Sequence, residues 1–331
     1  MQHGRVSAVD ALVPLPGRAE APLPPHEGRQ LDVGGVRLHV RHAVVPDGDD
    51  PEGRETAVAV HGLGGSSLNW TDLAAVVARR LDVWMPDLPG HGRSEPPRQG
   101  DYSLAAHAAA VKRLCEHVGA PVHLAGNSLG GAVALRVAAN RPDLVRSLLL
   151  VSPAVPERPP VPRRLPDPRI IGRLVPGLAT LVERWSSNRS PADRVRQVLE
   201  LCYADVDLVH PERRRQAEAE AERRAALPWA EESFTGSLRG LFGAWSARGE
   251  GDVWRQVASL TVPVTVVWGR HDRLVRPALA EKMRATLRDG HVEVWDDAAH
   301  VAQLEHPDRV AQRWLELVAR ATPQDDAPSD G

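Results

Sequence analysis

Cysteine, lysine, phenylalanine and tyrosine are all scarce in this sequence, and some classes of protein are excluded on that ground. Cys115 and Cys202 are the only cysteines among 331 residues. Two thiols cannot make a disulfide framework, and neither lies at a metal-ligand spacing. Lysine is limited to Lys112 and Lys282, so arginine carries the basic charge. Basic and acidic residues still balance, 41 against 43, for a formal charge of -2. A nucleic-acid binder would normally show a basic excess. No apolar run reaches the roughly 18 residues a membrane helix needs. No apolar signal-peptide core follows Met1–Arg5, and a cytoplasmic protein is expected. Phe and Tyr occur twice each, whereas Trp occurs nine times.

The remaining composition, 42% hydrophobic and 25% charged, is that of a soluble globular chain. The length allows one large domain or two modest ones. Residues 1–29 hold Pro14, Pro16, Pro22, Pro24 and Pro25 without periodicity and read as a flexible leader. Residues 322–331 are polar and acidic and read as a disordered tail. Between them, short apolar runs alternate with helical patterns. Leu31–Val33 and Val36–Val40 flank Gly34-Gly35 as a hairpin. Strands are expected at Thr56–Val60, Val83–Pro86, Val122–Ala125, Ser147–Val151, Val262–Trp268 and Val292–Trp295. Helices are expected at Trp70–Leu81, Leu104–Val118, Leu129–Asn140, Ala278–Leu287 and Pro307–Arg320. Such alternation implies the α/β class, with a mostly parallel, doubly wound sheet covered by helices on both faces.

The alternation stops at residues 156–251. A Pro/Arg-rich linker opens this stretch, and helical patterns follow at Ile170–Trp185, Pro191–Tyr203, Pro211–Leu227 and Ser233–Trp245. Ser190 is placed to cap the second, and the third is so charged that it reads as a solvated helix. The expected organisation is therefore a core of residues 30–155 and 252–321 carrying an inserted helical cap.

Gly126-Asn127-Ser128-Leu129-Gly130-Gly131 fits Gly-x-Ser-x-Gly between an expected strand and an expected helix. A nucleophile on so sharp a turn needs neighbours without side chains, which Gly126 and Gly130 supply. A serine hydroxyl also needs a base. His300 follows the last expected strand, and Asp272 follows the one before it. Asp272 is the carboxylate expected to orient His300; Asp296 and Asp297 read as turn residues. The order Ser128, Asp272, His300 places all three after strand ends, where sites collect in parallel sheets. A developing oxyanion requires N–H donors. Those of Leu129, after the nucleophile, and Leu63, in the glycine-rich loop His61-Gly62-Leu63-Gly64-Gly65, are the candidates.

These pieces, with Asp87-Leu88-Pro89-Gly90-His91-Gly92-Arg93-Ser94, Trp268-Gly269-Arg270-His271-Asp272 and Glu305-His306-Pro307, resemble the α/β-hydrolase fold superfamily with a helical cap. The resemblance spans most of residues 30–320. It implies Ser128 as nucleophile, Leu63 and Leu129 as oxyanion donors, and a cap over the pocket, with Asp87–Ser94 as a structural turn. Asn127 and Trp268-Gly269-Arg270 are similar to carbon–carbon bond hydrolases of aromatic degradation, though esterases share both features. A serine nucleophile argues against haloalkane dehalogenases and related epoxide hydrolases. The expected activity is hydrolysis of a small acyl compound, a carboxylic ester first, without cofactor or metal. Hydrolysis of a vinylogous diketone, acyl transfer and a silent ligand-binding role remain alternatives. Trp185, Trp229, Trp245 and Trp254 fall in or beside the cap, either lining a pocket or packing its helices onto the core.

Overall fold

The computed structural model describes residues 22–43, 54–157 and 190–322. Its centre is one eight-stranded sheet. The strands are β1 (Gly28–Asp32), β2 (Arg37–His42), β3 (Glu55–Val60), β4 (Leu81–Pro86), β5 (Val122–Asn127), β6 (Val145–Val151), β7 (Val264–Gly269) and β8 (Gly290–Trp295). They lie in the order β1-β2-β4-β3-β5-β6-β7-β8. The β1–β2 hairpin expected around Gly34-Gly35 forms, and it joins β4 antiparallel. The other neighbouring strands run parallel. The doubly wound α/β reading of the sequence is therefore correct.

Alternation along each strand builds two cores. Val58, Val60, Leu124, Leu148, Leu150, Val264 and Val266 face one side. There they meet α2 (Leu104–His117) and α3 (Leu129–Asn140), together with α7 (Val253–Ser259) and α8 (Leu279–Thr286). Ala57, Ala59, Ala125, Leu149, Val151 and Val267 face the other side, where α1 (Thr71–Val77) and α10 (Pro307–Ala321) cover them. A strand points successive side chains to opposite faces, so an apolar run of every residue marks a strand buried on both. Ser103 caps α2 by accepting the Ala106 N–H at 3.1 Å.

Most boundaries shift by one to three residues, and the largest difference is at the end of the first helix. The apolar spacing carries the first helix to Leu81, but α1 stops at Val77 and Leu81 is the first residue of β4. A fully buried leucine satisfies either pattern, and pairing with Glu55 of β3 decides it.

Between β6 and β7 the described helices are α4 (Pro191–Cys202), α5 (Pro211–Ala225) and α6 (Ala230–Ser246), followed by α7. The helix expected at Ile170–Trp185 lies outside the described residues. Ser190 caps α4, accepting the Asp193 N–H at 3.1 Å. Val195, Leu199 and Tyr203 of α4 and its exit form a small apolar cluster with Val301 of the core. Helix α5 is not simply solvated. Its arginines reach the core: Arg213 pairs with Asp72, Arg223 donates to the Gly92 carbonyl at 2.5 Å, and Arg224 donates to the Gly64 carbonyl. Among the described residues no helix is long and apolar enough to cross a membrane.

Candidate active site

Every sequence-expected site residue sits where a strand ends at its carboxyl edge. Ser128 joins β5 to α3 with φ 53 and ψ -117, a conformation that a residue with a side chain rarely adopts. The turn is closed so tightly that its neighbours must be glycine. A Cβ on Gly126 would lie 2.3 Å from the Gly130 carbonyl oxygen, and one on Gly130 would lie 2.2 Å from that of Val60. The strain is held in place by the core. The Ser128 N–H donates to Val151 at 3.1 Å, and its carbonyl accepts from Ala132 at 3.0 Å and Ala154 at 3.0 Å.

Asp272 and His300 come together across two loops. The His300 Nδ1–H faces Asp272 Oδ2 at 2.9 Å, and both side chains are buried. The other Asp272 oxygen accepts the N–H groups of Leu274 at 2.8 Å and Val275 at 2.9 Å. A carboxylate so fixed locks the imidazole in one tautomer, leaving Nε2 as the basic nitrogen. Asp296 and Asp297 are occupied elsewhere, the first with Arg270 at 2.9 Å and the second with Arg309 at 2.8 Å. His271, next to Asp272, is exposed, and its main-chain N–H donates to the Ala298 carbonyl at 3.0 Å.

The His300 loop is fastened on its main chain. Its N–H donates to the Cys202 carbonyl at 2.9 Å. Its carbonyl accepts from Asn127 Nδ2 at 3.0 Å, and the same amide donates to Val151 at 3.1 Å. Asn127 thus links the serine turn to the histidine loop, a role that its place in the sequence motif does not reveal. Gly269 lets the loop settle onto the end of β7, since a Cβ there would come within 2.1 Å of the Ala299 carbonyl oxygen. Glu305 ends the short helix α9 (Ala302–Glu305) and accepts the Ala299 N–H at 2.8 Å.

Leu129 is the first residue of α3, where a helix leaves its N–H without an intrahelical partner. Leu63 lies in the loop after β3, against the same turn: a Cβ on Gly62 would stand 3.3 Å from the Ser128 Cβ. Among the described residues, neither the Leu63 nor the Leu129 N–H has a hydrogen-bond acceptor. The loop is pinned by the buried His61. Its Nδ1–H donates to Gly62 at 2.7 Å, and its Nε2 accepts the Leu88 N–H at 2.9 Å. Burial lowers the His61 pKa, against the opposing charge of Asp87, which keeps the ring in this neutral tautomer.

The segment Asp87–Ser94 is the structural turn expected. Asp87 accepts the N–H groups of Ser67 at 2.6 Å and Arg93 at 2.8 Å, and His39 Nδ1 lies 2.9 Å away. Burial pushes its pKa up, but the hydrogen bond from His39, the electrostatic interaction with His61 and the two backbone donors outweigh it and hold the carboxyl at about 2.

The tryptophans near the insertion divide. Trp254 and Trp245 anchor it to the core: their indole N–H groups donate to Pro156 at 2.8 Å and Ala154 at 3.0 Å. Trp229 is half-buried, with its Nε1 buried and without a partner among the described residues. Trp185 lies outside the described residues.

The sequence and the fold are similar to those of known proteins. Residues 58–307 match the family described as the alpha/beta hydrolase fold. The chain is 33% identical over 275 residues to the dihydrolipoyllysine-residue acetyltransferase component of the acetoin cleaving system of Cupriavidus necator, covering 83% of this chain and 64% of that relative. This chain therefore spans just under two thirds of that protein. It is 28% identical over 268 residues to a pimeloyl-[acyl-carrier protein] methyl ester esterase of Neisseria meningitidis, covering 81% of this chain and 94% of the esterase. In fold it is similar to the 2-hydroxy-6-oxo-6-phenylhexa-2,4-dienoate hydrolase of Rhodococcus sp. strain RHA1, at TM-score 0.70 and 21% identity over 88% of this chain and 98% of that one. The chain belongs to the α/β-hydrolase fold family of enzymes.

Proposed function

We propose that the protein is a serine hydrolase that cleaves a small carboxylic ester through an acyl-enzyme. Ser128 Oγ attacks the carbonyl carbon while His300 Nε2 takes its proton. The imidazolium so formed is stabilised by Asp272. The N–H groups of Leu63 and Leu129 receive the oxyanion. His300 then protonates the leaving alkoxide, and in the second half it deprotonates the water that releases the acid. The observation that carries this reading is the buried 2.9 Å contact between His300 and Asp272, together with Ser128 held at positive φ on the strand-to-helix turn. Two unbonded peptide N–H groups beside that turn support it further.

Acyl transfer is the second reading, favoured by the 33% identity to an acetyltransferase component. It uses the same acyl-enzyme and differs only in whether water or another nucleophile takes the acyl group. The test is hydrolysis of short p-nitrophenyl esters by wild type and Ser128→Ala, with fluorophosphonate labelling of Ser128. Loss of both turnover and labelling in the variant is expected. Wild-type turnover by Ser128→Ala would refute the mechanism, and product analysis with an added alcohol separates transfer from hydrolysis.

A further inference from the structure

Glu305 joins the loop that carries His300 to the chain leaving α4. One carboxylate oxygen accepts the Ala299 N–H at 2.8 Å, immediately before His300. The other accepts the Ala204 N–H at 2.7 Å, two residues beyond the end of α4. Between these two anchors runs a third bond, from the His300 N–H to the Cys202 carbonyl at 2.9 Å. Val301 packs beside them on Val195, Leu199 and Tyr203. The backbone of His300 is therefore held partly by the inserted segment and not by the core alone.

The chemistry of the residue is costly for a mere staple. Glu305 is only 8% exposed, and burial raises its pKa despite the two backbone donors and the nearby His306. A buried carboxylate is retained against that penalty where its two divergent acceptors are both needed. No neutral side chain of the same length supplies two acceptors at those places: a glutamine would keep one and turn an NH2 group toward the other N–H.

We propose that Glu305 is a positioning residue for His300, setting the imidazole against Ser128 by tying Ala299 to Ala204 and so registering the catalytic loop with the segment that leaves α4. The proposal rests on the reading of His300 as the general base. Displacement of a catalytic group by about 1 Å lowers turnover by up to about 100-fold. Glu305→Gln should therefore lower kcat on a p-nitrophenyl ester by about 10- to 100-fold. KM should change less, because the substrate contacts are untouched. The rate of fluorophosphonate labelling should fall with kcat, since it also needs Ser128 activated by His300. Glu305→Asp keeps two acceptors on a shorter arm and should recover part of the loss.

Ala204→Pro removes the N–H on the α4 side and puts a ring carbon in its place. Tyr203 already has φ -104 and ψ 147, the extended conformation that a following proline demands. It too should lower kcat more than KM. All measurements are made well below each variant's melting temperature, with circular dichroism to confirm folding. A purely structural role would lower the melting temperature and leave the folded enzyme's kcat and labelling rate at wild type; that result in either folded variant overturns the proposal. Ser128→Ala and His300→Ala serve as references. If they are inactive while Glu305→Gln keeps wild-type kcat, the positioning role alone falls. If they keep activity, the mechanism falls and the positioning role with it.

Discussion

The backbone at Ser128 makes a prediction that concerns stability and not turnover. At φ 53 and ψ -117 a residue with a Cβ is strained, and glycine is not. Strain at such a site is of order 1–3 kcal/mol, taken here as about 2. Replacing Ser128 by glycine releases it. Two terms oppose the gain. The unfolded chain gains freedom worth about 0.7 kcal/mol, and a half-buried Cβ is lost, worth about 0.4 kcal/mol. The net is a stabilisation of about 1 kcal/mol relative to Ser128→Ala, which keeps the Cβ and therefore the strain. Comparing glycine with alanine also cancels the hydroxyl, which both variants lack. Urea unfolding of the two variants, followed by circular dichroism, measures the difference directly. A midpoint shift at unchanged slope is the expected form of the result. Equal stability of the two variants, or a less stable glycine variant, would show that the turn is not strained and that its geometry is dictated by the surrounding contacts alone.

Two further outcomes follow from the carboxylates. Asp272→Asn should fold normally and lose about 10⁴-fold in kcat, because an amide that faces His300 with its NH2 group selects the wrong imidazole tautomer; steady-state ester hydrolysis checks this, and a loss of less than about tenfold would remove Asp272 from the proposed triad. Asp87 bears on acid stability. Its folded pKa of about 2 lies below the unfolded value of 3.8, so its contribution is complete above pH 3.8 and is lost as pH falls through about 2. The difference corresponds to about 2 kcal/mol for this buried group. Unfolding measured at stepped pH should show a decline between about pH 4 and about pH 2 that Asp87→Asn flattens, and an unchanged slope in that variant would contradict the assignment.

Much of the fold and the site was legible because both follow from short-range rules. The central strands are apolar runs buried on two faces, β8 is a partly exposed edge strand, and each expected catalytic residue follows the end of a strand. Val122–Asn127 leads into Ser128, Val264–Gly269 leads to Asp272, and Gly290–Trp295 leads to His300. The polar edges of strands were not legible. Glu55, Gly290 and His291 extend β3 and β8 only because a neighbouring strand is there to pair with them. The arginines of α5 were hidden for a related reason. A run of charges reads as a solvated face, and nothing local announces that the carbonyls of Gly64 and Gly92 lie within reach. Asn127 and Glu305 were visible only as letters in a pattern. Their roles depend on partners at Val151 and His300 for the first, and at Ala204 and Ala299 for the second.

These contacts share a chemical form that bears on how the inserted segment works. Arg224 meets the loop after β3 at Gly64, Arg223 meets the turn at Gly92, and Trp245 and Trp254 meet the chain after β6 at Ala154 and Pro156. On the remaining side Cys202 and Ala204 meet the histidine loop. Most are hydrogen bonds between a side chain and a main-chain group; the apolar contacts are the small cluster around Val301 and those of α6, whose Leu241 belongs to the main core. Each such bond contributes about 1 kcal/mol net, and each fixes direction as well as distance. A broad apolar interface would hold the segment more firmly while tolerating sliding, because hydrophobic attraction is non-directional. The directional bonds to the loops add what the apolar packing of α6 lacks, a specified position for each loop. Substitutions in the segment should therefore alter turnover through loop placement even where they touch no substrate. Arg224, whose acceptor lies one residue from Leu63, is the position where that effect and the proposed oxyanion site are nearest each other.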